Sequence, residues 1–235
     1  MLKIGILIAD EQEYTPMREW AEKQGGERFS LYGDEAHRFL LKQENGEAEV
    51  VSVLCGIGKV NAAAAAAHLI SRGAEVLLNS GLSGGISGVR RGAIAFGSDY
   101  VEHDFDLTPL GFEKGQKPGQ EWRYRADPAL LSAFEEAVPG VTGPMACGDA
   151  FIADEGKKRE LARLCGAVAC DMESAAAASV CKKAGIPFLA VRRISDDASD
   201  TAAETYREMN DKAEDTLVGI LRTGILRLLE TGFQS

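Results

Sequence analysis

Three acidic groups in this 235-residue chain directly follow apolar, β-prone runs. Asp10-Glu11-Gln12-Glu13 closes residues 2–9, Asp171-Met172-Glu173 closes the run from Ala167, and Asp196 closes the run from Phe188. Short apolar runs bounded by Gly and Pro read as buried strands of a mostly parallel sheet. Carboxylates at the ends of such strands land on the sheet edge where open α/β folds bind ligands. Three acidic tips in one chain therefore predict a site whose chemistry is acid–base.

The elements that must position these tips alternate. Strand-like runs recur at 2–9, 50–55, 76–79, 93–96, 167–171 and 188–195. Helix-like stretches lie between them at 13–23, 60–71, 155–164 and 174–183, and a final amphipathic segment covers 201–229. This order predicts an α/β/α layer sandwich around a central sheet. Asn45-Gly46 between 39–42 and 47–55 reads as a hairpin turn, so the sheet is expected to be mixed. The length fits one domain over 1–235, and the Gly- and Pro-rich stretch 109–124 reads as a surface or interface loop.

Composition narrows the partners. The net charge of -10 and scattered Lys and Arg argue against nucleic acid or an anionic membrane surface. No apolar stretch has the length of a membrane span, and the start Met1-Leu2-Lys3-Ile4-Gly5 carries no cleavage pattern, so a cytoplasmic protein is expected. The five cysteines are odd in number, form no Cys-x-x-Cys pair, and read as reduced, mostly buried thiols.

Two glycine-rich turns follow strands. Gly56-Ile57-Gly58 serves equally as a tight turn needing φ > 0 or as a ligand contact. Asn79-Ser80-Gly81-Leu82-Ser83-Gly84-Gly85 offers exposed backbone N–H groups as a cradle for a sugar or anion, or is structural. Each acid also has a plain reading: Asp196 as a helix cap and Glu173 as a first-turn residue favoured by the helix dipole. Phe151 is by default a core aromatic. His103-Asp104-Phe105-Asp106 reads as structural or substrate-adjacent, and His37 and His68 as incidental.

Taken together, Glu13, Gly56-Ile57-Gly58-Lys59-Val60, the 81–85 segment, Gly148-Asp149-Ala150-Phe151-Ile152, Asp171-Met172-Glu173 and Arg192-Arg193-Ile194-Ser195-Asp196 occur in one order. In that order they resemble the 5′-methylthioadenosine/S-adenosylhomocysteine nucleosidases of the purine nucleoside phosphorylase superfamily. The resemblance spans nearly the whole chain and implies a three-layer nucleoside phosphorylase-like fold, a homodimer, and a small-molecule nucleoside substrate with no cofactor and no metal. It implies that the base stacks on Phe151 and is read by the backbone at Ile152. Met172 and Glu173 then contact the ribose, and Ile57, Ser83 and Gly84 line the substrate pocket. Asp196 protonates the base, Glu13 activates water, Arg192 steadies the acidic cluster and Ser195 orients the acid. It also places Phe112 of the 109–118 loop in the neighbouring subunit's pocket.

Cleaving an N-glycosidic bond leaves positive charge on the sugar and negative charge on the base. Asp196 must then hold a proton near neutral pH, which burial beside other carboxylates favours, and Glu13 must be ionised. Three positions depart from the family pattern: Asp10 replaces a methionine on the 5′-alkylthio side, Leu82-Ser83 replaces Ser-Ala, and Arg193 replaces a small residue. Asp10 keeps open a nucleoside with a more polar 5′ end, of the futalosine or AMP type. A phosphorylase is disfavoured because Glu13 would repel phosphate and no arginine cluster is evident. A nucleoside-binding protein without turnover is disfavoured because binding needs no water-activating base.

Overall fold

The computed structural model describes residues 1–210 and 214–233. In chain order its elements are β1 (Leu2–Ile8), α1 (Glu11–Lys23), β2 (Glu27–Leu31), β3 (Asp34–Gln43), β4 (Gly46–Leu54), α2 (Lys59–Ser71), β5 (Val76–Gly85) and β6 (Ile94–Glu102). There follow β7 (Arg123–Arg125), α3 (Pro128–Ala137), β8 (Val141–Cys147), α4 (Glu155–Cys165), β9 (Ala169–Asp171), α5 (Ser174–Ala184), β10 (Phe188–Asp196), α6 (Ala202–Asn210) and α7 (Glu214–Thr231). A single turn of 3-10 helix at Thr108–Leu110 interrupts the otherwise irregular segment before β7.

The sheet is mixed, as the hairpin signal predicts. β2, β3 and β4 run antiparallel, whereas β4, β1, β5 and β10 are parallel neighbours. Beyond β5 the sheet closes on itself: β5 pairs with both β10 and β9, and β10, β6, β8 and β9 complete the ring. That closure brings the C-terminal ends of β5, β9 and β10 to one place. Gly84 of β5 is paired on one side with Asp196 and on the other with Cys170.

α4 packs on β8 and α6 on β10, and the remaining helices pair with one another. α7 packs on α1 and α3, and α2 packs on α5. Central strands covered on both faces read as continuous apolar runs, and Ile4, Ile6, Leu77, Leu78, Leu189 and Val191 are fully buried. Alanine fills the α2–α5 contact, where Ala62, Ala65, Ala66, Ala175 and Ala177 are buried and small side chains let the helices approach closely. Among the described residues no helix is long and apolar enough to cross a membrane.

The structure differs from the sequence reading in three respects. The glycine-rich segment 81–85 is not a turn but the end of strand β5. Its glycines leave room for neighbours: a Cβ on Gly84 would lie 2.9 Å from Cys170 Sγ and 3.2 Å from an Asp196 carboxylate oxygen. The terminal amphipathic stretch is two helices, α6 and α7, and its residues 211–213 lie outside the described residues. Finally, α3, β8, β2 and the short β7, which begins within the stretch read as a loop, join the fold without having been expected.

Candidate active site

The three acidic strand tips converge on one cavity of about 340 Å³. Each tip arrives by a different local device. Asp10, two residues beyond the end of β1, is extended and caps α1, its Oδ1 accepting the Gln12 N–H at 2.8 Å. That cap sets the first turn, so that Glu13 turns towards β5, where its Oε1 accepts the Leu82 N–H at 2.9 Å.

The second tip is built by Asp171 at the end of β9. Its Oδ1 accepts from the N–H groups of Glu173 (3.0 Å) and Ser174 (2.9 Å), which starts α5. Glu173 Oε1 accepts the Gly58 N–H at 3.0 Å. Gly58 has φ 100, a conformation that disfavours any side chain, so the approach of this amide to the carboxylate requires glycine.

At the third tip, Ser195 Oγ donates to Asp196 Oδ2 at 2.7 Å, and the Ala198 N–H donates to Oδ1 at 2.8 Å. Ala198 is buried with φ 52, a left-handed conformation that costs a non-glycine residue of order 1 kcal/mol. Behind the tips lies Arg192, only 1% exposed. Its Nε faces Asp171 Oδ2 at 3.3 Å, its Nη2 lies 3.7 Å from Glu173 Oε2, and it also donates to Asn79 Oδ1. Asn79 is held in turn by the Leu7 carbonyl at 3.2 Å.

Burial shifts these acids upward. Glu13 is pushed up to about 8, mainly by loss of water, against the opposing pull of the Leu82 N–H and Arg192. Burial likewise raises Glu173, again opposed by Arg192. Asp196 is raised by burial, while the bonds from Ser195 and Ala198 pull it down. The direction at Asp196 is the expected one, and the neighbouring carboxylate that adds to it is Asp197. Glu13 differs: the sequence reading takes it as ionised, yet in the free cavity its burial favours the protonated form at neutral pH.

Of the site residues expected from sequence, Glu13, Ile57, Ser83, Gly84, Phe151, Ile152, Met172, Glu173, Ser195 and Asp196 all line the cavity. Arg192 does not; it reaches the site through Glu173. Phe151 is 50% exposed, not a core aromatic, and meets Tyr206 of α6 edge-on at 5.7 Å. Asp10 lines the cavity as well as capping α1.

Sequence reasoning missed Tyr206, whose only signal was its place in an amphipathic stretch. It placed Asp171 in the second acidic tip without an individual role and gave Cys170 none; both line the cavity. All five cysteines are free and buried, and burial raises the Cys170 thiol far above its usual range. His103 is buried outside the lining, and Asp104 accepts from Lys59 Nζ and the Asp149 N–H.

Comparison with known proteins places this site in a lineage. The profile of the Phosphorylase superfamily matches residues 3–225. A 5′-methylthioadenosine/S-adenosylhomocysteine nucleosidase of Geobacillus sp. (strain WCH70) is 34% identical over 224 residues, covering 90% of this chain and 93% of that protein. The crystal structure of the Helicobacter pylori nucleosidase of the same name, with butyl-thio-DADMe-Immucillin-A, superposes with a TM-score of 0.90 at 27% identity, covering 97% of this chain and 99% of that one. Futalosine hydrolase of Helicobacter pylori superposes at 0.89, also at 27% identity, covering 97% and 98%. The chain therefore belongs to the phosphorylase superfamily and, within it, to the family of the 5′-methylthioadenosine/S-adenosylhomocysteine nucleosidases, and is an enzyme, an N-glycosyl hydrolase.

Proposed function

We propose that this enzyme hydrolyses 5′-methylthioadenosine, S-adenosylhomocysteine or both to free adenine and the corresponding thioribose. The observation that carries the reading is Asp196: a buried carboxyl of raised pKa, held on both oxygens, facing the same cavity as Glu13 and Glu173. The C1′–N9 bond breaks with its electron pair passing to adenine, and Asp196 delivers a proton to N7. Glu13, in its ionised form, takes a proton from water as the water oxygen bonds to C1′; burial favours the protonated form in the free cavity, so this step draws on the deprotonated fraction, which grows as pH rises towards about 8. Glu173 accepts from the ribose hydroxyls, Met172 packs against the sugar, and Phe151 and Ile152 hold the base. Ile57, Ser83 and Gly84 complete the wall. Arg192 keeps negative charge on the carboxylates from accumulating unopposed.

Water, not phosphate, is the favoured nucleophile. Among the described residues the cavity wall contains no Lys, Arg or His, while Asp10, Glu13, Asp171, Glu173 and Asp196 all face it. A phosphate dianion would find no cationic side chain in the wall to offset its charge, and Glu13 and Asp196 bring none in either protonation state. A second reading, a nucleoside with a polar 5′ end, is favoured by one observation: Asp10 keeps a carboxylate in the wall. This reading takes the chain as one domain acting as a cytoplasmic homodimer, and the exposed apolar Val60 and Leu110 support a partner surface.

Base release from methylthioadenosine, S-adenosylhomocysteine, adenosine, AMP and inosine (hypoxanthine from the last, adenine from the others), each with and without phosphate, tests the proposal. Phosphate-independent release from the first two is the expected result. A ribose-1-phosphate product would overturn hydrolysis, and activity confined to nucleosides with charged 5′ groups would favour the second reading.

A further inference from the structure

Consecutive backbone amides at the start of α2 bond two different carboxylates. The Gly58 N–H donates to Glu173 Oε1 at 3.0 Å, and the Lys59 N–H donates to Asp149 Oδ1 at 2.8 Å. Asp149 lies in the segment 148–152, which has no regular structure and carries Phe151 and Ile152 into the cavity. The Asp149 N–H is itself held by Asp104 Oδ2 at 2.9 Å. Asp104 Oδ1 closes the circuit by accepting from Lys59 Nζ at 2.7 Å. Glu102 Oε2 takes a second bond from the same ammonium at 3.1 Å, and Lys117 pairs with the other oxygen of Glu102.

Phe151 and Ala150 are exposed, so packing alone does not fix this segment. A flexible loop that must present an aromatic face is worth most when something else holds it in place beforehand. The circuit does this with charge-assisted bonds, and the Lys59 side chain within it is only 19% exposed. A Cβ on Gly58 would lie 3.1 Å from Asp149 Oδ1, so the turn and the loop are fitted to each other.

We propose that Asp149 is a positioning residue: with Lys59 and Asp104 it locks the base-side loop to the start of α2, and thereby to Glu173 on the ribose side. The inference rests on the functional reading above only for which side of the ligand each group meets. The loop and the carboxylate that grip the two halves of the nucleoside are joined through two adjacent peptide groups.

The test combines steady-state kinetics with amide hydrogen exchange on Asp149→Ala, Asp149→Asn, Lys59→Met and Lys59→Arg. Asp149→Ala is expected to raise KM for methylthioadenosine about tenfold, the cost of one charge-assisted bond, with kcat little changed. Exchange should quicken at the Lys59 amide, which loses its acceptor, and at 149–152, and nowhere else. Asn, which keeps an acceptor for the Lys59 N–H, should recover most of the effect, and Lys59→Arg should be milder than Lys59→Met. Unchanged KM and unchanged loop exchange in Asp149→Ala would overturn the proposal, as would faster exchange throughout the molecule, which marks a merely structural role. A wild-type protein silent on every nucleoside would count against the functional reading alone, and the exchange data would still decide the role of Asp149.

Discussion

Glu13 on α1 and Leu82 on β5 are joined by a 2.9 Å bond from the Leu82 N–H to Glu13 Oε1. The neighbouring residue, Gly81, makes that approach feasible. A Cβ built on it would lie 2.7 Å from Glu13 Oε2 and equally 2.7 Å from Arg192 Nη1. Gly81 does not have a positive φ, so its requirement is space and not conformation. The absent methyl is what lets the carboxylate and the guanidinium share one corner.

Gly81→Ala is therefore expected to displace Glu13 or Arg192. Arg192 is pinned by Asp171 and Asn79, so Glu13 should yield first. Misplacing a reacting group by about 1 Å costs on the order of 100-fold in rate. Adenine release should fall by about that factor with the far-UV circular dichroism unchanged. Near-wild-type turnover would show that the corner has slack.

Asp196→Asn tests the acid directly. The amide oxygen can still accept from the Ala198 N–H, and its NH2 can donate to Ser195 Oγ, so the loop should keep its shape. Without a transferable proton, kcat should drop by about 10²–10⁴-fold while nucleoside affinity, read by calorimetry, stays near wild type. Retention of most of the wild-type kcat would remove Asp196 from the acid role.

Glu13 also leaves a mark on stability. Its carboxyl stands at about 8 in the folded protein against an ordinary 4.5. Between those values the folded state binds more protons than the unfolded chain, so this group's contribution is full below about 4.5 and is lost as pH rises through about 8. Glu13→Gln removes the dependence and keeps an acceptor for the Leu82 N–H. The variant should melt above wild type at pH 9, by about 2–4 °C for each kcal/mol relieved, with the gap closing towards pH 5. A melting difference constant from pH 5 to 9 would contradict the shift.

The acid-tipped strands were legible because burial on both faces writes itself as short apolar runs, and a carboxylate ending such a run stands out. The glycines at 81–85 were harder. Glycine marks tight turns and close backbone approaches alike, and here it marks the second, inside a strand pinched between Cys170 and Asp196. Helix α3 carried a usable signal that went unread: Asp127 accepts from the Ala129 and Leu130 N–H groups, and Pro128 occupies the first turn. β8 was masked by Gly143 and Pro144. The Asp149–Lys59–Asp104 circuit had no local signal, since its members are 45 and 90 positions apart and meet only through the fold.

Ser195 sets both the aim and the acidity of Asp196. Its hydroxyl, 2.7 Å from Oδ2 and 3.2 Å from the Ser83 carbonyl, favours the ionised carboxylate and so opposes the upward pull of burial. Removing it in Ser195→Ala leaves desolvation less opposed, and the folded-state pKa of Asp196 should move further up. A carboxyl-carbon NMR titration of the free enzyme would read that shift. Turnover should fall at the same time, because Oδ2 loses the bond that fixes how the carboxyl is presented to the cavity. The two effects separate cleanly: raising the pH restores neither orientation nor rate, whereas Ser195→Thr, which keeps the hydroxyl, should bring the titration back towards wild type. An Asp196 titration unmoved by Ser195→Ala would mean that burial, Asp197 and the Ala198 N–H set the acidity without Ser195.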